Sequence, residues 1–506
     1  MDGEKTEKCG VLKKLARLVE WVVGLVVMAL VLLTSWLFLG GESADVSIPD
    51  DSDLRVVLPE IADEDNGFIA IVASTNLIVM ETNSLGDIDM TFAIEYASPR
   101  SSGYDRVRAE PGAAEKADKI LADNAAFFEA FSRGLERKAF RNVEPKTEIA
   151  NGFGVVLPPF KAYNWARFLW LLKIQREIER GEWDKALEGL ETIHRFGRAT
   201  SDNALNAVEY IVGGSAGNGY GKVVDMAASD ALDEAALARL AVLVCDDRAR
   251  RSENVERVLK LEYSTVRTNI DATTPEMMVE LYGFTARISR ELANAVSSVF
   301  GGEVETRQSL QERIAEGIVK TVLLWPGYFR YTFHRRTTIA RIAETTRLAI
   351  KGEVDSAADD EGYDGLLTRN GYGRNIVAVH ACGCRSLLTS IDNRAFGRGR
   401  ALLAIAAARW RLVHGDAMPP SLEALVPQFL DAVPVDPYNK DGSPFQYDPE
   451  TGVAWSVGDR NRPFDYMEVK DKEQVVEAIA KRGYYSWAFR IDGKHAKSDS
   501  SVRDGN

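Results

Sequence analysis

The sequence predicts a mainly α-helical protein with an N-terminal transmembrane helix, a helical-hairpin ectodomain and a small C-terminal α+β module made of a helix and a β-hairpin. Three observations predict this class. Residues 21–41 carry no charge, the middle of the chain is apolar and alanine-rich with helical spacing, and eight of the 17 prolines fall between Pro419 and Pro463. The long helices should therefore end where the prolines begin.

The charge-free segment is WVVGLVVMALVLLTSWLFLGG, residues 21–41. As a helix it is long enough to cross a hydrocarbon core of roughly 30 Å. The residues before it carry only basic excess and those after it are acidic, so the positive-inside rule places residue 1 in the cytoplasm. This predicts a cytoplasmic tail (1–20), an anchor (21–41) and an acidic linker (42–62). A cleaved signal peptide is the alternative, but the apolar run is too long and lacks a convincing small-x-small site.

Length and composition bound the remaining functions. A chain of 506 residues with 45% hydrophobic and 27% charged residues is long enough for two or three globular domains. Its formal net charge of −13 argues against non-specific nucleic-acid binding, because neutralising phosphates requires a net basic surface. Nucleic acid is therefore not predicted as a partner.

Residues 63–396 are predicted to form the helical ectodomain, and the stretch near 165–198 carries its most informative pattern. The spacing of its apolar and small residues resembles a tetratricopeptide helix pair, in which such side chains interlock between antiparallel helices. The residues concerned are Trp170, Ile174, Gly181, Trp183, Ala186, Leu190 and Ile193. Because only one copy is recognisable, a generic helical hairpin is the alternative.

The stretch YIVGGSAGNGYGK, residues 210–222, superficially resembles a phosphate-binding loop. A P-loop requires Gly, four residues and Gly-Lys-Ser/Thr, whereas Ala216 stands at the first glycine position and Val223 follows Lys222. The sequence therefore predicts small residues that allow close helix approach, or a break between helices.

The four cysteines are too few for a disulfide scaffold. Cys9 is cytoplasmic in the predicted topology, which leaves a disulfide from Cys245 to Cys382 or Cys384. The C-G-C sequence also admits a metal site or a redox pair, although a C-x-C without a second ligand pair is poor zinc evidence. The further alternative is small buried residues on a helix.

Residues 397–468 are predicted to form the C-terminal module. SLEALVPQFL should form a short helix capped by Ser421, and PFQY and VAWSV should pair as strands around the turn sequence DPETG. We expect the module to pack against the preceding helix. Residues 469–506 are predicted to form a terminal helix, starting near Asp471, and a frayed tail.

The order of short segments in residues 414–459 resembles the C-terminal part of the major pseudopilins of type II secretion. The shared pieces are a "YP-S-L--LV" segment, a "P-DP-G-P--Y" turn and strand, and a closing "YS-G-DG" loop. Their counterparts are Pro419-Pro420-Ser421-Leu422, Leu425-Val426, Val433-Pro434-Val435-Asp436-Pro437, Gly442-Ser443-Pro444-Phe445-Gln446-Tyr447 and Trp455-Ser456-Val457-Gly458-Asp459.

The whole chain is also similar to a group of bacterial envelope proteins with a single anchor, a "P-DE-NG" opening, a helical middle and this ending. The resemblance implies the bacterial inner membrane, with the ectodomain in the periplasm. A pseudopilin has Glu as the fifth residue after its leader is cut, whereas cutting after Gly10 would put Leu15 there. The protein is therefore not expected to be a filament subunit.

The pseudopilin resemblance also implies a calcium site in the closing loop, where carboxylates and carbonyls suit a hard cation. The weak candidate ligands are Asp459 and Asp465. Arg460 and Arg462 add positive charge that opposes a divalent cation, so a metal-free hairpin is the alternative. No other cofactor is predicted.

Motifs for catalysis are missing from the sequence. The five histidines are scattered, and neither H-E-x-x-H nor G-x-S-x-G occurs. We therefore predict a non-enzymatic, membrane-anchored envelope protein with a protein-interaction or scaffold role, whose helical grooves bind an unknown protein partner. The alternatives are an envelope hydrolase with a dispersed active site, because catalytic groups can come from distant positions, and an accessory component of a type II secretion-like system.

Overall fold

The computed structural model describes residues 49–58, 60–81, 90–98, 103–141, 160–216, 219–245, 251–274, 330–354, 369–415, 417–439, 441–456 and 488–492, together with Met28 and Ser47. This part of the chain is mainly helical and has one three-stranded antiparallel sheet, which confirms the predicted fold class at that level. Apart from Met28, the predicted anchor at 21–41 lies outside the described residues. Among those that are described, no helix is both long and apolar enough to cross a membrane.

The helices follow one another with short connections. They are α1 (Gly67–Thr75), α2 (Thr91–Ala97), α3 (Tyr104–Ala109), α4 (Ala113–Asp123), α5 (Ala125–Leu135), α6 (Phe160–Glu179), α7 (Trp183–Asp202), α8 (Ala207–Ala216), α9 (Tyr220–Ala227), α10 (Glu234–Cys245), α11 (Arg251–Ala272), α12 (Arg335–Ile350) and α13 (Gly371–His414). Short 3₁₀ turns occur at Ser52–Leu54, Asp63–Asp65 and Glu423–Leu425, and the strands are β1 (Gln446–Asp448), β2 (Val453–Trp455) and β3 (Ala488–Arg490).

The described elements divide into two compact units. Unit 1 contains the Ser52–Leu54 turn, α11 from Lys260 onward, α12 and α13 as far as Cys384, and unit 2 contains the other elements. The predicted boundary between residues 396 and 397 falls inside α13, which is continuous there. The domain division therefore differs from the predicted one.

Unit 1 has a core built on one face of α12. Ile339, Ile342, Ala343 and Thr346 recur at the spacing of a helix face and are buried. Residues of α11 and of the first part of α13 complete the cluster, which also buries Leu54. Leu54 lies in the predicted linker 42–62, so the structure differs from that prediction: its apolar side chain draws this turn into the core.

Unit 2 contains the predicted helical hairpin. α6 and α7 pack against each other around a turn at residues 180–182, where the Glu182 N–H donates to the Glu177 carbonyl at 2.8 Å. The hairpin core is aromatic, with Phe128 of α5 against Trp170 at 5.0 Å and Phe131 against Phe196 at 5.0 Å, measured between ring centroids. The helix pair is confirmed, and its likeness to a tetratricopeptide repeat stays a prediction.

The glycine-rich stretch at 210–222 belongs to α8 and α9, which confirms that the P-loop interpretation was correctly rejected. A Cβ on Gly213 would lie 2.5 Å from Thr200 Oγ1 of α7. The guanidinium of Arg394 occupies the space beside Gly214 and donates to the Tyr210 carbonyl. The small residues thus allow close approach of neighbouring elements.

α13 is buried on two sides within unit 2. Ala401, Ala404 and Ile405 belong to the large core of the helical bundle, whereas Leu403 and Ala407 belong to the core of the C-terminal module. A helix that is apolar all round is expected where packing covers every face. The alanine-rich sequence ALLAIAAA fits this position, and the module packs on the preceding helix as predicted.

The C-terminal hairpin is also confirmed. β1 and β2 pair antiparallel with Tyr447 opposite Ala454, and in the turn between them the Gly452 N–H donates to the Asp448 carbonyl at 2.9 Å. The predicted helix at SLEALVPQFL is only the turn Glu423–Leu425, in which Ser421 Oγ accepts from the Ala424 N–H at 3.3 Å. Pro427 has no N–H with which to continue a helix.

The predicted frayed tail is wrong at residues 488–490. These residues form β3, which pairs antiparallel with β2 and places Phe489 opposite Ala454. Phe489 is buried in the module core, so apolar burial fixes this strand at the sheet edge. The predicted helix from Asp471 lies outside the described residues.

Close packing at α8 gives a testable difference between two glycines. Gly213→Ala should lower the free energy of unfolding by about 1–2 kcal/mol, because the added methyl would overlap the buried Thr200. Gly221 of α9 has no atom within 4 Å of the corresponding Cβ position, so Gly221→Ala should raise that free energy by about 0.5 kcal/mol. Urea unfolding of the full-length protein measures both changes, and an equal effect of the two substitutions would contradict the packing described for α8.

Candidate functional site

The segment that follows the predicted anchor is fixed to unit 1 by charged side chains. Asp51, only 7% exposed, accepts hydrogen bonds from the Tyr263 hydroxyl at 2.8 Å and from Arg267, both on α11. On α12, Arg347 donates to the two carboxylate oxygens of Asp53 at 2.9 and 2.7 Å. Arg347 also donates to the Asp50 carbonyl at 2.7 Å. We call these contacts the aspartate clamp.

The electrostatics of the aspartate clamp favour charged carboxylates. Burial opposes ionisation of Asp51, but the Tyr263 hydrogen bond and the Arg267 charge outweigh it and hold the pKa of Asp51 below its ordinary value. The pKa of Asp53 is also lowered, chiefly by the hydrogen bonds from Arg347. The clamp therefore requires the ionised acids, and it has no carboxyl group poised to accept a proton at neutral pH.

A histidine and a cysteine meet inside unit 1. His380 Nε2 of α13 lies 2.9 Å from Thr346 Oγ1 and 3.7 Å from Cys384 Sγ, one turn further along the helix. Both His380 and Cys384 are buried. This is the residue pairing of a nucleophilic cysteine site, so its protonation states decide whether it can act as one.

Burial makes this pair neutral. It lowers the pKa of His380 to about 4 and raises the pKa of the Cys384 thiol to about 12. Since the thiolate is the nucleophile, a thiol with so high a pKa is not activated. The pair fits the structural alternative, in which small buried residues of the C-G-C sequence pack inside the protein.

The predicted cysteine pairing has a specific outcome. Cys382 is exposed and Cys384 is buried, and both are free thiols in the structure. Cys245 is exposed at the end of α10 and belongs to unit 2. A bridge from Cys245 to either of the others stays a prediction.

A polar network in unit 2 was not predicted from the sequence. Arg176 of α6 binds Asp118 of α4 through two parallel hydrogen bonds of 2.8 and 3.0 Å. Glu179 accepts from the Tyr96 hydroxyl at 2.9 Å and from Gln175 at 2.9 Å, and it also pairs with Arg176. The bonds from Arg176, more than its charge, lower the pKa of Asp118 to about 2. The network joins α2, α4 and α6 through ionised groups.

A pocket of about 300 Å³ lies beside this network and includes Arg176 in its wall. Its charged lining consists of Lys173, Arg176, Glu177 and Arg180, and Lys173 pairs with Glu177 at 2.8 Å. A hydrolase with a dispersed site requires a pocket lined by histidine or aspartate with a shifted pKa. Neither residue type is among the described residues that line this pocket, so the pocket lends no support to that alternative.

Two of the pseudopilin-like segments contact each other in the C-terminal module. The Ser456 hydroxyl lies 2.8 Å from both carboxylate oxygens of Asp436, and the Tyr438 N–H donates to the same carboxylate at 3.0 Å. Asp436 is 1% exposed. The Asp-Pro turn and the end of β2 are thus joined by a buried carboxylate, which satisfies donors from both segments.

The candidate calcium ligands Asp459 and Asp465 lie outside the described residues. Within the part of the chain that the structure describes, no group of three or more His, Cys, Asp or Glu side chains is arranged to hold a metal ion. The calcium site therefore stays a prediction.

Comparisons with protein-family models, with curated proteins and with solved structures find no match for this chain.

Thiol labelling distinguishes the two cysteines of the C-G-C sequence. After mild reduction, a maleimide should modify exposed Cys382 in the native full-length protein and leave Cys384 unmodified, because Cys384 is buried with a thiol pKa of about 12. In urea both should react. Peptide mass spectrometry measures each site separately, and equal native rates would contradict the burial of Cys384.

The neutral state of His380 predicts a pH dependence of stability. Its folded pKa of about 4 lies below the ordinary 6.5, so stability is fully present above pH 6.5 and is lost as pH falls towards 4, where the unfolded state binds the extra proton. The loss should approach roughly 1.4 kcal/mol for each pH unit. In His380→Gln the free energy of unfolding should fall less steeply over this window.

Urea unfolding between pH 4 and 7 measures these slopes. His414→Gln is the matched control, since it removes an exposed imidazole from the same helix. Equal slopes for wild type and His380→Gln would show that His380 does not cause the dependence.

Proposed function

We propose that the protein is a single-pass bacterial envelope protein that acts as an interaction scaffold. Residues 21–41 anchor it in the inner membrane with the N-terminus in the cytoplasm, and the helical ectodomain binds another envelope protein from the periplasmic side. The aspartate clamp is the observation that carries this proposal. It fixes the residues next to the anchor to a folded unit at Arg267 and Arg347, instead of leaving them as a free linker.

The clamp limits how far unit 1 can move from the membrane. Asp50 follows Gly41 by nine residues, which span at most roughly 30 Å when fully extended. A short connection that ends in a buried carboxylate holds the ectodomain near the bilayer. This suits a protein that presents a surface to neighbouring membrane components.

Exposed apolar side chains supply contact positions for a partner. Leu412 and Val413 at the end of α13 are 53% and 60% exposed, and Val435 of the C-terminal module is 50% exposed. Single exposed apolar residues are ordinary, but two adjacent ones at a helix end beside the pseudopilin-like module favour contact there. The partner is expected to offer an apolar surface in return.

A second candidate function is an accessory role in a type II secretion-like system. The buried contact between Asp436 and Ser456 favours it, because both residues belong to segments that resemble the pseudopilin ending. On this hypothesis the partner would be a component of the secretion apparatus.

In-cell photo-crosslinking tests the scaffold proposal. A photoreactive amino acid at Val413 or at Val435 of the full-length protein should give a discrete covalent adduct in membranes that retain the protein after an alkaline wash. The same amino acid at Lys119, whose side chain is 76% exposed on α4, is the matched control and should give none.

The adducts identify the partner by mass spectrometry. A secretion component would favour the second candidate over a general scaffold role. If neither position formed an adduct, or if the alkaline wash released the intact protein, the proposed function would be overturned.

A further inference from the structure

A pocket of about 280 Å³ opens in unit 2 where two helices end. α9 ends at Ala227 and α13 ends at His414, and the start of α10 forms the remaining wall. The apolar lining consists of Ala227, Leu232, Leu237, Ala408 and Leu412. Leu232 and Leu237 are buried, whereas Leu412 is 53% exposed and lies at the rim.

A buried arginine also lines this pocket. The Arg411 side chain is 8% exposed, and its Nη2 donates to the Asp230 carboxylate at 3.2 Å and to the Ala227 carbonyl at 3.3 Å. Its Nε and Nη1 are buried and have no hydrogen-bond partner among the described residues. Guanidinium carries five N–H donors, and a buried donor without an acceptor costs on the order of 1–3 kcal/mol.

The acid that faces Arg411 does not satisfy the rest of the guanidinium. Asp230 contacts Nη2, and its own side chain is 56% exposed. Arginine remains charged at any physiological pH, so burial cannot be relieved by loss of a proton. An additional acceptor for the remaining donors would complete the site.

We propose that this pocket binds a carboxylate that carries a short apolar chain. The carboxylate would accept hydrogen bonds from Arg411, and the chain would lie against Leu232 and Leu237. At roughly 30 Å³ for each small group, the volume holds about nine non-hydrogen atoms. A free short-chain acid and the carboxyl terminus of a polypeptide that ends in an apolar residue both have this chemistry.

The surroundings favour a singly charged carboxylate over a phosphate. The carboxyl-terminal ends of α9 and α13 carry partial negative charge, and Asp230 adds a full one. A dianion would be repelled by these groups, and Arg411 would be its only cation among the residues that line the pocket. A planar carboxylate matches the geometry of guanidinium donors.

Binding of 4-methylpentanoate to the full-length protein in lipid nanodiscs tests the proposal. Isothermal titration calorimetry should detect this acid, whereas 4-methylpentanamide, which has the same shape without the charge, should bind at least tenfold more weakly. Inorganic phosphate should not compete. Failure of the acid to bind, or equal binding of the amide, would overturn the proposal.

Three variants locate the binding to this pocket. Arg411→Gln should abolish it by removing the cation, and Leu412→Asp should abolish it by placing a negative charge at the exposed rim without touching Arg411. Arg409→Gln is the matched control, because Arg409 lies on the same helix but pairs with Glu234 outside the pocket. Binding that survived both Arg411→Gln and Leu412→Asp would overturn the assignment.

The two sources of the ligand are separated with Gly-Gly-Leu and its C-terminal amide. If the tripeptide with a free carboxylate competes with 4-methylpentanoate and the amide does not, the pocket accepts a chain terminus. If neither competes, the pocket is specific for a free short-chain acid. The pocket does not depend on the anchor or on a protein partner, so this result is separate from the crosslinking test.

Discussion

The burial of α13 on two sides is the constraint on which unit 2 depends. Ala401 and Ala404 lie in the core of the helical bundle, while Leu403 and Ala407 lie in that of the C-terminal module. Small side chains let two sets of elements approach one helix, and larger ones would separate them. One stretch of sequence therefore carries both cores, and the short strands of the module gain stability from a helix that the bundle already holds in place.

Arginines make many of the connections between distant parts of the chain. Arg176 joins α6 to α4, Arg394 joins α13 to the start of α8, and Arg267 and Arg347 hold the residues after the predicted anchor. Each forms several hydrogen bonds, which suits guanidinium more than an ammonium group. Paired charges of this kind add little net stability compared with apolar packing, but they specify which segments meet, because a wrong pairing leaves a buried charge without a partner.

Periodic patterns were sufficient to predict the helices, the α6–α7 pair and the β1–β2 hairpin, because these follow from local spacing and turn residues. The sequence was not sufficient for β3, since three residues in a polar tail become a strand only when β2 is beside them. The acidic residues near Asp51 have the composition of a solvated linker, and only the tertiary position of Tyr263 and Arg267 makes them part of a folded unit. The Arg411 pocket likewise requires residues far apart in the chain, so no local motif announces it.

Burial has opposite consequences for the two least exposed polar sites described above. His380 and Cys384 respond to it by remaining neutral, since the pKa of the imidazole falls and that of the thiol rises, and their contact is left without reactive charge. Arg411 has no such response, because guanidinium keeps its proton in proteins. Its charge must be balanced by neighbouring groups, and Asp230 reaches only one of its nitrogens. The same physical cost therefore makes the His380–Cys384 pair chemically quiet and makes the Arg411 pocket receptive to an anion.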